Sequence, residues 1–402
     1  MANTLLTPTM VTRKALTILH QKLNFVGTIN RAYDDSFAND GAKIGNSLKI
    51  RLPNQYVTRT GATIQTQDTP ETSTTLTVNT QAGVDVNFTS NELTLSLDDF
   101  SDRILDPAMS VLAANIEADA MNMVKDVYQL EAGDGGSGTS AAAIAFKGVM
   151  RARKRLNDAL APNDGKRTVN LCTQDEVVLV DALKGLFQDS ASLSKQYKEG
   201  MMGHTAGFDF YENSLWPQFT RGAGASYVCN TSTGITSGTA TITVSGGSGA
   251  LNVGDVFTIV GVNAVHPESK ADTGNLQQFV VTAAATSGAT SISVSPTPTT
   301  SGAAQNIVIN SAGASKSLVF FGTASTAFPQ SLAYHKNAFT FATADLIMPK
   351  GVHFAAREVL DGISMRIVQQ YDITNDKLPC RIDVLYGYKT IRPQLACRLA
   401  TA

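Results

Sequence analysis

A change of composition partway along the chain limits its possible folds more than any other feature. Between Gly222 and Phe320 only five side chains carry charge: Asp255, Glu268, Lys270, Asp272 and Lys316. The rest of the 402 residues holds charge at about four times that density. The same stretch is rich in Thr, Ser, Gly and Ala. Short runs in it alternate apolar with polar residues at Thr241–Val244, Val256–Val260, Phe279–Thr282, Ser291–Val294 and Ile307–Ile309. A period of two puts one side of a strand on a core and the other on solvent. The segment therefore predicts a separate all-β module, a small barrel or sandwich, inserted into a host domain. Its Phe, Val and Ile content argues against a disordered linker. Gly238–Ser245 and Gly288–Ser295 resemble each other at an offset of 50, but one such pair reflects shared strand grammar rather than a repeat.

Outside that block the pattern is mixed, an α+β reading. Thr12–Phe25 predicts an amphipathic helix, with Leu16, Ile18, Leu19 and Leu23 among Arg13, Lys14, His20 and Lys22. Strands follow where Leu48, Ile50 and Leu52, then Leu76 and Val78, then Val84, Val86 and Phe88 alternate with polar residues. Between the first two lies the polar stretch Asn54 to Ser73, too long for a hairpin turn and too poor in apolar groups to bury itself. It predicts a long two-stranded projection that docks on another molecule. A long helix comes next, with Asp106 as N-cap and Pro107 at N1. Met109, Leu112, Ile116, Ala120, Met123 and Val127 share one face, while Asn115, Glu117, Asn122 and Lys125 lie opposite. Carried to about Leu130, it would be roughly 36 Å long. After the break Gly133–Ser140 a helix carries Arg151, Arg153, Lys154 and Arg155, read as a solvated basic face. A buried strand at Thr168–Cys172 and a helix at Asp175–Leu186 precede the β block. Beyond it, Ile363, Met365 and Ile367 form a strand, a polar turn spans Asn375–Lys377, and Ile382, Val384, Tyr386 and Tyr388 form its antiparallel partner.

The residue types that carry chemistry do not assemble into a site. Gly133-Asp-Gly-Gly-Ser-Gly138 fits a dinucleotide fingerprint, with Asp158 twenty residues on, but that fingerprint needs a preceding strand, and the long helix is expected there. His20, His204, His266, His335 and His353 have no close ligand spacing, and Cys172, Cys229, Cys380 and Cys397 form no C-x-x-C pair. Asp98, Asp99, Asp102 and Asp106 precede a helix, where carboxylates suit the positive end of the dipole. No metal, cofactor or catalytic residue is expected. A net charge of −2 lacks the basic excess of a nucleic-acid binder. The N-terminus lacks a signal-peptide pattern, and no run reaches the roughly 18–20 apolar residues of a membrane span.

Several strings resemble the major coat proteins of short-tailed Salmonella-type phages. They are Met1-Ala-Asn-Thr-Leu-Leu-Thr-Pro-Thr-Met, His20-Gln-Lys-Leu-Asn-Phe, Lys49-Ile-Arg-Leu-Pro-Asn, Leu93-Thr-Leu-Ser-Leu-Asp-Asp-Phe and Leu112-Ala-Ala-Asn-Ile-Glu-Ala-Asp. Arg381-Ile-Asp-Val-Leu-Tyr-Gly-Tyr and Ile391-Arg-Pro are similar to that family's closing strands. The β block matches less distinctively, around Asn252-Val-Gly-Asp-Val-Phe.

The resemblance implies a Hong Kong-type tailed-phage capsid fold with a long spine helix, an extended β loop and an inserted all-β domain. It divides the chain into an N-terminal arm (1–40), the extended loop with peripheral strands (41–95) and the spine helix (96–140). A first axial part (141–221), the insertion (222–332) and a return to both domains (333–402) complete it. It implies self-assembly as pentamers and hexamers into an icosahedral shell in the host bacterial cytoplasm. The expected partners are a scaffolding protein, a portal, and double-stranded DNA packaged by non-specific proximity; no membrane is involved. Arg59, Asp68 and Glu71 near the loop's tip are the candidate inter-subunit contacts, although the same charges also suit a loop that merely stays soluble. A bacterial nanocompartment shell protein, a tail or receptor-binding protein, and an enzyme are the competing readings.

Overall fold

The computed structural model describes residues 12–13, 15–19, 23–31, 47–64, 66–68, 71–89, 106–132, 144–183, 203–310, 313, 315–360 and 363–400. It divides into two compact units: 1–50, 73–121 and 339–391 form one, and 51–72, 122–338 and 392–402 form the other. The candidate arm residues before 12, the glycines of 133–138 and the aspartates 98, 99 and 102 lie outside the described residues.

The first unit is a sheet with a helix against it. The long strand Lys377–Thr390 is its spine, pairing along one part with Thr80–Thr89 and along others with Ile363–Gln369 and Phe339–Ala344; Phe354–Leu360 pairs with Ile363–Gln369 at the edge. Ile363, Met365, Ile367, Ile382, Val384 and Tyr386 are all buried, as their alternation with polar residues predicts. Gly387 is required where the chain around Thr77 crosses this strand, because a Cβ there would collide with the Thr77 carbonyl oxygen.

The helix Asp106–Met121 packs on the sheet and buries more of its circumference than one stripe: Ala113, Glu117 and Met121 are buried beside Met109, Leu112, Ile116 and Ala120. Glu117 thus sits inside, not on the polar face that its helical position suggested. The reason is the N-terminal segment. Residues 12, 13 and 15–19 are helical, but the helix does not run on to Phe25 as expected; Leu23 and Asn24 belong to no helix, and a new short helix starts at Phe25–Thr28. The Glu117 carboxylate accepts the N–H groups of Phe25 (2.7 Å) and Val26 (3.2 Å), supplying the acceptors that a helix start lacks. Asp119, on the same helix, accepts the Tyr386 hydroxyl at 2.6 Å. Tyr386→Phe is expected to cost about 2 kcal/mol, the worth of a hydrogen bond to a charged acceptor, measured by urea denaturation of the unassembled chain.

The long helix of the first unit ends earlier than its periodicity predicts, and the second unit begins at Asn122. At 16 residues it spans about 24 Å. A 3-10 turn at Asn122–Asp126 follows, then the strand Leu130–Ala132. The cause is tertiary. Leu130–Ala132 pairs in parallel with the fully buried strand Ala396–Ala400, and Arg398, itself fully buried, donates to the carbonyls of Val127 (2.6 Å), Gly254 (2.9 Å) and Lys125 (3.4 Å). The unwound carbonyls gain a charged donor, and burial pulls the Arg398 guanidinium down to about 10. A strand therefore does precede the glycines of 133–138, contrary to the expected helix. Asp158 is tied to Lys154 at 2.7 Å.

The strands Leu130–Ala132, Ala396–Ala400, Gln330–His335, Arg167–Leu171, Phe208–Glu212 and His204–Thr205 make one mixed six-stranded sheet in that order. The helix Phe146–Asp158 buries Val149, Ala152 and Leu156. Its basic run is not simply a solvated face, since Arg155 and Arg151 both pair with Glu131.

The charge-poor block forms the other part of this unit. Its strands lie in the order Thr241–Thr243, Ser291–Ser295, Asp272–Val281, Val256–Val265, Ser315–Phe320 and Val228–Asn230, with Ile307–Ile309 added to Val256–Val265. Bridges of Val228 to Ser245 and Ala225 to Ser248 join the last strand back to the first, closing a small barrel. Inside, Phe257 packs on Phe279 and Phe320 with ring centroids 5.8 and 5.3 Å apart. Asp255 is buried but accepts the N–H groups of Asn252 (2.8 Å) and Gly222 (3.1 Å) at the barrel's mouth. Among the described residues no helix is long and apolar enough to cross a membrane.

Candidate subunit-contact surface

The strands Ser47–Arg51 and Ser73–Thr77 form a two-stranded sheet. The expected ladder does not extend into the projection: beyond the Leu52 N–H bond to the Thr72 carbonyl (2.9 Å), residues 53–60 form no strand. Side chains take over as rungs. The Gln67 amide exchanges hydrogen bonds with both backbone groups of Val57. At the tip the Arg59 guanidinium donates to the carbonyls of Gly61 and Thr63, the latter at 3.1 Å, and Gly61 turns the chain at φ +105°.

Of the three candidate contact residues, Arg59 is folded onto its own turn, Asp68 is exposed, and Glu71 pairs with Arg51 at 3.2 Å near the base. That pair is exposed on both sides, so it contributes little to stability. No ion pair joins the three among the described residues. The sequence reading missed the apolar part of the same surface: Tyr56, Val57 and Ile64 are exposed, Ile64 by 78%. Their scatter through a polar stretch was the available signal, and it was a faint one, because singly exposed apolar side chains are ordinary on protein surfaces.

No metal-holding group of three or more His, Cys, Asp or Glu occurs among the described residues. The histidines serve locally: His335 is buried and bonded to Asp164 (3.1 Å), and His204 meets Asp209 at 2.7 Å. Among the described residues, burial pushes the Glu117 carboxyl up to about 7, and burial together with Glu212 does the same for Glu176.

Residues 3–399 match the family model described as P22 coat protein, gene protein 5. No curated protein matches the sequence. Among solved structures, that of Mycobacterium phage Che8 is similar at 14% identity, with 94% of this chain and 90% of that one covered and a TM-score of 0.49. The capsid of Ralstonia phage GP4 is similar at 8% identity, 93% and 87% coverage and a TM-score of 0.49. A virus-like particle from Pyrococcus furiosus is similar at 7% identity, 97% coverage of both chains and a TM-score of 0.41. With a family model matched over nearly its whole length, the chain belongs to the P22 coat protein family.

Proposed function

We propose that this phage coat protein assembles as pentamers and hexamers into an icosahedral head around double-stranded DNA, through a scaffold-assisted precursor shell that expands on packaging. The match of residues 3–399 to the coat protein model carries the reading. In it, residues 1–40 are an arm, 41–95 an extended loop with peripheral strands, 96–140 a shortened spine helix, 141–221 and 333–402 the axial and peripheral body, and 222–332 an inserted barrel. A scaffolding protein, a portal and the packaged DNA are its partners, and assembly occurs in the host bacterial cytoplasm. The chain works by forming many weak contacts whose sum closes a shell, not by catalysis.

Expression alone and with the scaffolding partner, followed by negative-stain electron microscopy, tests this. Closed shells, made uniform by the partner, are expected; small oligomers under both conditions overturn it. The loop supplies a sharper test. Arg59→Glu is expected to leave the unassembled chain's stability within about 0.5 kcal/mol, as for most exposed positions, while shell yield falls. Wild-type assembly by that variant removes Arg59 from the interface.

A further inference from the structure

The barrel and the six-stranded sheet of the second unit meet along one narrow seam. In the barrel's paired strands Val256 lies opposite Val280, and Thr258 opposite Gln278. With a period of two, these four share the face that points out of the barrel, while Phe257 and Phe279 between them belong to its core. Val256 and Val280 are buried against Leu130, Phe219, Phe328 and Ala400. Where the chain enters and leaves the barrel, Phe219–Thr220 pairs with Ala327–Phe328 as a ribbon only two residues long on each side. Arg398 reaches across the seam to the Gly254 carbonyl at 2.9 Å.

Leu130–Ala132 is the last strand of the six-stranded sheet and pairs on one side, with Ala396–Ala400. Its other side is an edge, whose backbone groups need partners. Among the described residues no strand supplies them; the half-buried Gln278 side chain does. Its Oε1 accepts the Leu130 N–H at 2.9 Å, and its Nε2 donates to the Leu130 carbonyl at 2.7 Å. A primary amide carries the same kinds of donor and acceptor as a peptide group. One side chain of the barrel therefore stands where the backbone of a next strand would.

We propose that Gln278 is the positioning residue of the barrel: by exchanging both hydrogen bonds with Leu130, it fixes the direction in which each subunit carries its barrel. The apolar contact around it is non-directional and lets Val256 and Val280 slide over Leu130 and Phe219. The two-residue ribbon is by itself a hinge, and the single bond from Arg398 to Gly254 leaves rotation about its own axis free. An amide held at both ends permits neither sliding nor rotation, because hydrogen bonds weaken steeply as they leave alignment. A shell of identical copies needs every barrel to leave its sheet in the same direction, and this consequence rests on the coat-protein reading.

Hydrogen exchange of the unassembled full chain tests the contact without any shell. Gln278→Met keeps the volume and loses the amide, so the Leu130 N–H should exchange about tenfold faster than in wild type. The strand Ser291–Ser295 should keep its protection, which shows that the barrel is still folded. Gln278→Glu keeps the acceptor, so exchange at Leu130 should stay within about threefold of wild type. Unchanged exchange in Gln278→Met, or exchange in Gln278→Glu as fast as in Gln278→Met, overturns the proposal. Should Gln278→Met not fold, Gln278→Thr, a strand former too short to reach Leu130, takes its place with the same two outcomes. In shells formed with the scaffolding partner and imaged by cryo-electron microscopy, wild-type barrels should share one orientation on their sheets and Gln278→Met barrels should scatter. Variant barrels placed as sharply as wild type overturn the positioning role even where Leu130 exchange has risen. A wild-type chain that forms no shells overturns the coat reading, while the exchange result still decides the contact.

Discussion

Replacing Asp383 by alanine is expected to destabilise the first unit by about 3–5 kcal/mol, the cost of breaking a buried ion pair from one side. Asp383 is fully buried in the strand Lys377–Thr390. Arg366 binds it in a fork, Nε to Oδ1 at 3.1 Å and Nη2 to Oδ2 at 2.7 Å, and Arg381 and Gln81 approach Oδ2 at 3.0 and 2.6 Å. One carboxylate thus joins three adjacent strands. Opposite it in register stands Gly83, whose missing Cβ leaves room for the Asp383 side chain and the Ile382 carbonyl. Through Arg366 Nη1 the network also reaches the Ile347 carbonyl at 2.6 Å. Without the carboxylate, a nearly buried guanidinium keeps its charge and loses its counter-ion. Urea denaturation of the unassembled chain measures the loss, and a shift under about 1 kcal/mol would show that water compensates Arg366. Arg366→Met combined with Asp383→Leu should recover much of the loss, because an apolar pair removes both desolvation penalties.

The second large effect concerns Glu117. Glu117→Ala leaves two buried N–H groups without acceptors at about 1–3 kcal/mol each, so the docked Phe25–Thr28 segment should loosen by about 3 kcal/mol. Hydrogen exchange at Phe25 and Val26 is the direct readout, and unchanged protection there would refute the assigned role. The pH dependence has a definite sign. Burial raises this carboxyl from 4.5 to about 7, so the folded state binds its proton more tightly than the unfolded state does. Its contribution is fully present below about pH 4.5 and is lost as pH rises through 7, by about 3 kcal/mol in all. Glu117→Gln keeps a neutral acceptor, so the stability of this variant should fall less over that window. The difference between the two pH profiles isolates Glu117 from every other titrating group.

Much of the fold was legible because strand periodicity and charge density are local properties. The strands near 241, 256, 279, 291 and 307 follow directly from alternation, and the lack of charge from 222 to 320 marks residues that share one core of Phe257, Phe279 and Phe320. What was not legible depends on partners distant in the chain. Met123 and Val127 extend the helical spacing past Met121, yet the helix stops, because Leu130–Ala132 is drawn into a sheet by residues near 398. Glu117 looks like a surface residue on a helical wheel until a segment 92 positions away needs its oxygens. Arg398 had one faint signal, a lone cation inside the apolar run Leu395–Ala400. At the candidate contact surface, composition identified an exposed loop. It did not show that Arg59 turns back on its own tip or that Glu71 is held by Arg51, since both depend on backbone geometry.

The hold of Arg398 on Val127 also fixes an order of events during synthesis. The two residues are 271 positions apart, so when Leu130–Ala132 leaves the ribosome its sheet partner has not been translated. The carbonyls of Lys125 and Val127 then lack that donor, and the strand edge remains open while the whole barrel is made. Such long-range closure is slow and leaves an incomplete chain prone to association. Chains halted before Arg398 would lack the cation and the strand that complete this part of the second unit.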